Sequence, residues 1–273
     1  MTTSSSSTKR QPTLYIPHGG GPCFFMDWTM GPADTWNAMA EWLRSVGREH
    51  ADPRALLVVS AHWEQPVATV LAQAQPDLLF DYYGFPPHTY QLEWPAPGAP
   101  ELASRVRGLL GEAGLASAEE RQRGFDHGVF VPLKVAYPEP TIPTLQLSLV
   151  AGLDPAQHLA IGRALAPLRD EGVLIIGSGM SYHDMRGFGR PASLGLSQQF
   201  DGWLAEACGD ASGRDAALTD WERAPAGRRC HPREEHLLPL MVAAGAAAGE
   251  SGRRVFQDRV MGVQVSAFEF GDA

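Results

Sequence analysis

The residues with the most chemistry in this chain are histidines at element boundaries. His18 follows Leu14-Tyr15-Ile16-Pro17 and precedes Gly19-Gly20-Gly21-Pro22. His62 ends the run Leu56-Leu57-Val58-Val59-Ser60-Ala61, and Val173-Leu174-Ile175-Ile176-Gly177-Ser178-Gly179 leads to His183. Arg123-Gly124-Phe125-Asp126 delivers His127, and His231-Pro232-Arg233-Glu234-Glu235 delivers His236. A lone histidine at a strand end is more often a hydrogen-bonded core residue than a ligand. Several of them beside glycine, serine or aspartate point to a metal site, since neutral imidazole is the commonest protein ligand and suits iron, zinc and copper alike. The spacing matches neither a zinc finger nor the helical zinc-protease motif. Glu235 beside His236 is an alternative ligand. Asp126-His127 and His183-Asp184 read as acid/base sites, where a carboxylate sets the tautomer and basicity of imidazole. His50 and His158 sit in helical segments and read as surface residues; His88, in an aromatic loop, is ambiguous. Gly177-Ser178-Gly179 lacks the flanking pattern of a serine hydrolase, and no dinucleotide or phosphate loop is present.

The elements that must position these groups alternate between strand and helix. Strands are expected at 14–17, 55–62, 67–71, 144–149, 173–176, 255–256 and 263–270. Helices are expected at 34–49 with Asp34 as cap, 100–114, 128–137, 155–170 with Asp154 as cap, 195–209 and 233–248. Glu234 and Glu235 would then complement a helix dipole. The buried strands are apolar without alternation, as in a sheet covered on both faces. This predicts a single-domain α/β sandwich over 12–273, with a central, mostly buried mixed sheet flanked by helices. Residues 1–11 read as a disordered tail. Residues 73–99 form a long loop, with Phe80, Tyr82, Tyr83, Phe85 and Tyr90 either walling a site or packing on the core.

Composition sets the outer bounds. Hydrophobic residues make up 44%, enough to bury a core, and the net charge of −9 argues against nucleic-acid binding. The three cysteines form no disulfide pattern, which points to a reduced, cytoplasmic chain. No apolar run approaches the roughly 20 residues of a membrane span. Monomer and homodimer both stay open.

Taken together, these segments resemble the class III extradiol ring-cleaving dioxygenases, specifically the 4,5-DOPA extradiol dioxygenase-like branch. The resemblance runs from about residue 13 to 270 through Pro17-His18-Gly19-Gly20-Gly21-Pro22, Val59-Ser60-Ala61-His62-Trp63, Tyr83-Gly84-Phe85-Pro86, Gly124-Phe125-Asp126-His127-Gly128, Ser178-Gly179 to His183-Asp184, and Glu235-His236 with Leu238-Pro239-Leu240. It implies His18, His62 and His236 as metal ligands. His183 is implied as an acid/base or a further ligand, and His127, Gly20 and Tyr83 as substrate contacts. It also implies Fe(II), with Zn(II) as another occupant. The substrates would be O2 and a small, DOPA-like aromatic diol, opened to a semialdehyde. Two departures stand out: Gly19-Gly20-Gly21 replaces the usual Gly-Ser, and the wider superfamily uses a glutamate where this branch has a histidine. Arg186 and Arg233 read either as holders of a substrate carboxylate or as solvated charges. A zinc-dependent hydrolase and a non-catalytic metal-binding protein are the competing functions.

Overall fold

The apolar runs without alternation become the parallel strands at the centre of the molecule. The computed structural model describes residues 9–247 and 249–271. Its strands are β1 (Thr13–Pro17), β2 (Ala55–Gln65), β3 (Ala68–Leu71), β4 (Ser117–Glu120), β5 (Thr144–Val150), β6 (Val173–Gly179), β7 (Gly252–Val260) and β8 (Val263–Phe270). They form one eight-stranded sheet in the order β4-β3-β5-β2-β6-β1-β8-β7. Strands β5, β2, β6 and β1 run parallel, while β3 and β8 pair antiparallel at either side, so the sheet is mixed.

The helices are α1 (Asn37–Glu49), α2 (Pro100–Glu112), α3 (His127–Ala136), α4 (Pro155–Leu165), α5 (Pro167–Asp170), α6 (Pro191–Gly209), α7 (Arg214–Thr219), α8 (Gly227–Cys230) and α9 (Leu238–Ala246). They flank the sheet and bury it. Every residue of α9 is buried, and it crosses α4 so closely that a methyl group on Gly162 would lie 2.2 Å from the Val242 carbonyl oxygen.

Several expected boundaries move, each for a local reason. Asp34 caps no helix: its carbonyl closes a turn with the Asn37 amide at 3.0 Å, so α1 begins a turn late. Asp154 does cap, accepting from the Ala156 amide at 2.9 Å, but the expected helix 155–170 is split at Pro167, which lacks the amide hydrogen. The helix expected at 233–248 is regular only over Leu238–Ala246. Glu234 and Glu235 precede it, and the Glu234 carbonyl accepts from the Leu237 and Leu238 amides in a tight turn. Strand β4 and the short helices α7 and α8 were not expected. Residues 1–8 of the predicted tail lie outside the described residues. At 10 and 11 the chain is already tied: Arg10 pairs with Asp170, and the Gln11 amide donates to the Arg169 carbonyl at 3.0 Å.

His50 and His158 are buried, not surface residues. The His158 Nδ1–H donates to the Asp154 carbonyl at 2.7 Å, while its Nε2 accepts from the Val150 amide at 3.1 Å. His231 is buried as well, with Nε2 3.1 Å from the Ser181 carbonyl, and burial pushes its basicity down to about 3. In the unfolded chain it protonates below about 6.5, so the unfolded state then holds the extra proton and stability falls with pH. The slope this histidine contributes is about 1.4 kcal/mol per pH unit between those two values. Urea unfolding of metal-free protein at pH 7 and pH 5 should show a clearly smaller pH effect in His231→Gln than in the parent. Equal slopes would show that this imidazole is not held neutral.

Candidate active site and metal centre

Parallel strands leave their C-terminal ends on one edge of the sheet, where open α/β sheets place ligands. Ile16 and Ser60 both pair with Ser178, so the ends of β1, β6 and β2 lie side by side. His18 continues β1, its amide donating to the Gly179 carbonyl at 3.1 Å. The chain then turns through Gly19 and Gly21, at φ of 84° and 55°, values that favour glycine. His62 lies where the β2–β5 pairing is interrupted between Val59 and Glu64, a bulge that re-aims its side chain. His236 arrives on the turn before α9. Its carbonyl accepts from the Tyr15 hydroxyl at 2.7 Å and the Met180 amide at 3.1 Å. A methyl group on Gly179 would stand 2.1 Å from that carbonyl, so glycine is required there for close approach.

These three imidazoles meet through their Nε2 atoms. His62 Nε2 lies 3.2 Å from that of His18 and 3.2 Å from that of His236. Proton counting shows what the cluster lacks. The Ser178 hydroxyl proton is donated to the Gly128 carbonyl, so at 3.2 Å Ser178 Oγ accepts from His18 Nδ1–H. The Glu235 carboxylate likewise accepts from His236 Nδ1–H at 3.0 Å. Both rings therefore turn bare Nε2 lone pairs toward His62, which holds at most one hydrogen there to share between them. Facing lone pairs of this kind fit a cation, and outer partners on Nδ1 are the usual companions of histidine ligands. Burial first, then the surrounding imidazoles, holds His18 and His236 well below the ordinary imidazole value and brings His62 down to about 3. Neutral imidazole is the form that binds metal.

Two further histidines stand beside the cluster, each held by a carboxylate that is not its sequence neighbour. His127 opens α3, and both its Nδ1–H and its amide donate to Asp81 Oδ1, at 2.7 and 3.0 Å. Burial raises Asp81, but the hydrogen bond and charge of His127, with His62, outweigh it and hold the carboxyl below its usual value. Asp126, expected as the partner, is buried beneath the site and accepts from Ser60 at 2.7 Å, Arg123 at 3.0 Å and Gln146. The His62 amide in turn donates to Ser60 Oγ at 3.2 Å, so this carboxylate supports the His62 bulge. His183 Nδ1 lies 3.1 Å from Glu235 Oε1, not against Asp184, which accepts instead from the Arg186 amide. His183 also stacks on His236 with ring centroids 3.3 Å apart.

The five histidines border a cavity of about 450 Å³, lined also by Gly20 and Tyr83. Tyr83 is 90% exposed at its mouth. His88 lies outside it, against the Phe25 carbonyl. The two arginines considered for a substrate carboxylate do not line it. Arg233 is spent on Glu64 at 2.5 Å and Glu235 at 3.5 Å, and Arg186 is exposed. Sequence reasoning missed Asp81, whose only mark is a carboxylate inside the aromatic run from Phe80 to Phe85. It also missed Trp28, Trp36, Met180, Phe188 and Met261, which come from three separate stretches, 28–36, 180–188 and 261, and form part of the wall.

Residues 12–268 match the family model described as the catalytic LigB subunit of aromatic ring-opening dioxygenase. A 4,5-DOPA dioxygenase extradiol from Beta vulgaris is 44% identical over 203 residues, 73% of this chain and 75% of that protein. Its Escherichia coli K12 namesake is 32% identical over 248 residues, 89% and 88% of the two chains. The crystal structure of an uncharacterized protein from Escherichia coli K12 superposes with a TM-score of 0.78 at 28% identity, covering 96% of this chain and 100% of the other. The alternating α/β order, the edge-of-sheet histidines and these matches converge: the chain belongs to the class III extradiol ring-cleaving dioxygenases, a metal-dependent family.

Proposed function

We propose that this enzyme, through one catalytic domain spanning 12–273, opens a substituted catechol with O2 beside its diol to give a semialdehyde, using Fe(II) held by His18, His62 and His236. The observation that carries this is the meeting of three Nε2 atoms, two of them bare, on the floor of a cavity flanked by two histidine–carboxylate pairs. Bound there, iron would supply the redox coupling between catechol and O2. The protein supplies the proton handling. Glu235 holds Nδ1 of His183, which leaves Nε2 to accept a proton from a catechol hydroxyl and return it to the opened product. Asp81 accepts from Nδ1–H of His127 and so fixes the orientation of that ring beside the oxygen that turns negative. Gly20 leaves the floor without a side chain, and Tyr83 meets the substrate at the mouth. The buried free thiols Cys23, Cys208 and Cys230 support a reducing, cytoplasmic setting, and among the described residues no helix is long and apolar enough to cross a membrane.

Anaerobic loading with Fe(II), followed by O2-electrode assays on a catechol panel, tests the reading. One O2 should disappear per catechol, with a yellow ring-opened product, and a chelator should abolish uptake. No uptake with any catechol from protein that retains stoichiometric zinc would overturn it in favour of hydrolysis or binding.

A further inference from the structure

Among the described residues, the large hydrophobic side chains left exposed are Met30 at 57%, Tyr83 at 90% and Met185 at 68%. All three line the mouth of the cavity above the histidines. Exposed apolar groups gathered on one rim mark a binding surface. Behind them the wall continues with Met180, Phe188 and Met261. Four of the chain's eight methionines thus border this one cavity. Methionine is unbranched and polarizable, and it reshapes around apolar ligands of different outline.

The charges that are missing matter as much. No lysine, arginine, aspartate or glutamate is among the residues lining the cavity. Two lining residues, Trp28 and Trp36, carry only a neutral polar group, the indole Nε1, which in both is buried without a hydrogen-bond partner. A carboxylate or ammonium on the substituent, held at this mouth, would lose water with no lysine, arginine, aspartate or glutamate on the lining to pair with, which is costly. The chain's net charge of −9 adds a further penalty for an anion.

We propose that the mouth selects catechols whose ring substituent is uncharged and apolar, and disfavours the amino-acid zwitterion of DOPA. This rests on the reading of the cavity as a catechol site, and two separate readouts keep the two apart. The first is anaerobic binding to the Fe(II)-loaded enzyme, followed by quenching of tryptophan fluorescence. The second is O2 uptake. The probes are 4-tert-butylcatechol, 3,4-dihydroxyphenylpropionate and DOPA, each referred to unsubstituted catechol so that the ring's own contribution cancels.

The alkylcatechol should bind about tenfold or more tighter than either charged compound, with kcat/KM ordered the same way. Met185→Arg, at an exposed position, should narrow the gap by raising affinity for dihydroxyphenylpropionate; Met30→Lys should do the same. DOPA bound as tightly as the alkylcatechol, or a gap unchanged in both variants, overturns the inference. Tighter alkylcatechol binding without any O2 uptake upholds the apolar selection and removes the ring-opening reaction instead.

Discussion

His62→Ala is expected to lose ring-opening turnover by more than the roughly 100-fold that follows loss of a partner in a ligand's outer sphere. Its metal content should fall from one per chain to a small fraction. The reason is geometric: His62 supplies the nitrogen within 3.2 Å of both other Nε2 atoms, so its loss removes the nitrogen that both of them face. The side chain is only 22% exposed, so truncation to alanine also removes packing against the neighbouring imidazoles. His62→Gln keeps most of that volume, so the metal-free glutamine variant and the metal-free parent should unfold at nearly the same urea concentration while the variant still loses metal and turnover. That comparison separates a lost ligand from a damaged fold. A His62→Ala enzyme that keeps its metal and much of its turnover refutes the ligand assignment.

Asp126→Asn has the opposite signature, a loss of stability first. The wild-type carboxylate is fully buried and accepts from Ser60, Gln146 and Arg123. Asparagine keeps the shape but turns an NH2 toward groups that are themselves donors. Breaking a buried charge pair costs about 3–5 kcal/mol, and the lower end applies because the Arg123 side chain is 21% exposed. Ser60 would lose its anchor and the His62 amide its fixed acceptor, so activity should fall about 10–100-fold even where the variant is folded. Urea midpoints of metal-free protein, with turnover measured well below the transition, read both effects. An unchanged midpoint would show that Asp126 is not the anchor of this bulge.

The parts of the fold that showed in the sequence were those with a strong local signal. Leu56–Val59 and Val173–Ile176 are apolar on both faces, and only a sheet covered on both sides uses such runs. Asp154 followed by Pro155 marked a helix start that the structure keeps. The histidines showed because each stands at a break in such a run. Their carboxylate partners did not, because adjacency in sequence says little about which side chains meet. Asp126 neighbours His127 yet faces Ser60, while the carboxylate that holds His127 lies 46 residues away. The same blindness put His50 and His158 on the surface: helical position gives no sign that a carbonyl or a carboxylate waits inside. The helix expected from 233 began late because Glu235 is engaged by His183 and His236, a tertiary contact that overrides local propensity.

The strand that carries His18 lies between β6 and β8, and β8 is the last of the eight strands in sequence. It cannot be fenced on both edges until residues 263–270 have joined it. Such long-range closure is slow, because loop entropy is spent before the contacts form. A molecule that has not reached that step keeps an open strand edge beside the active centre. Metal bound across residues 18, 62 and 236 would favour the finished chain by mass action. Scarcity of the ion should then appear as slower maturation and greater loss to proteases, as well as fewer turnovers.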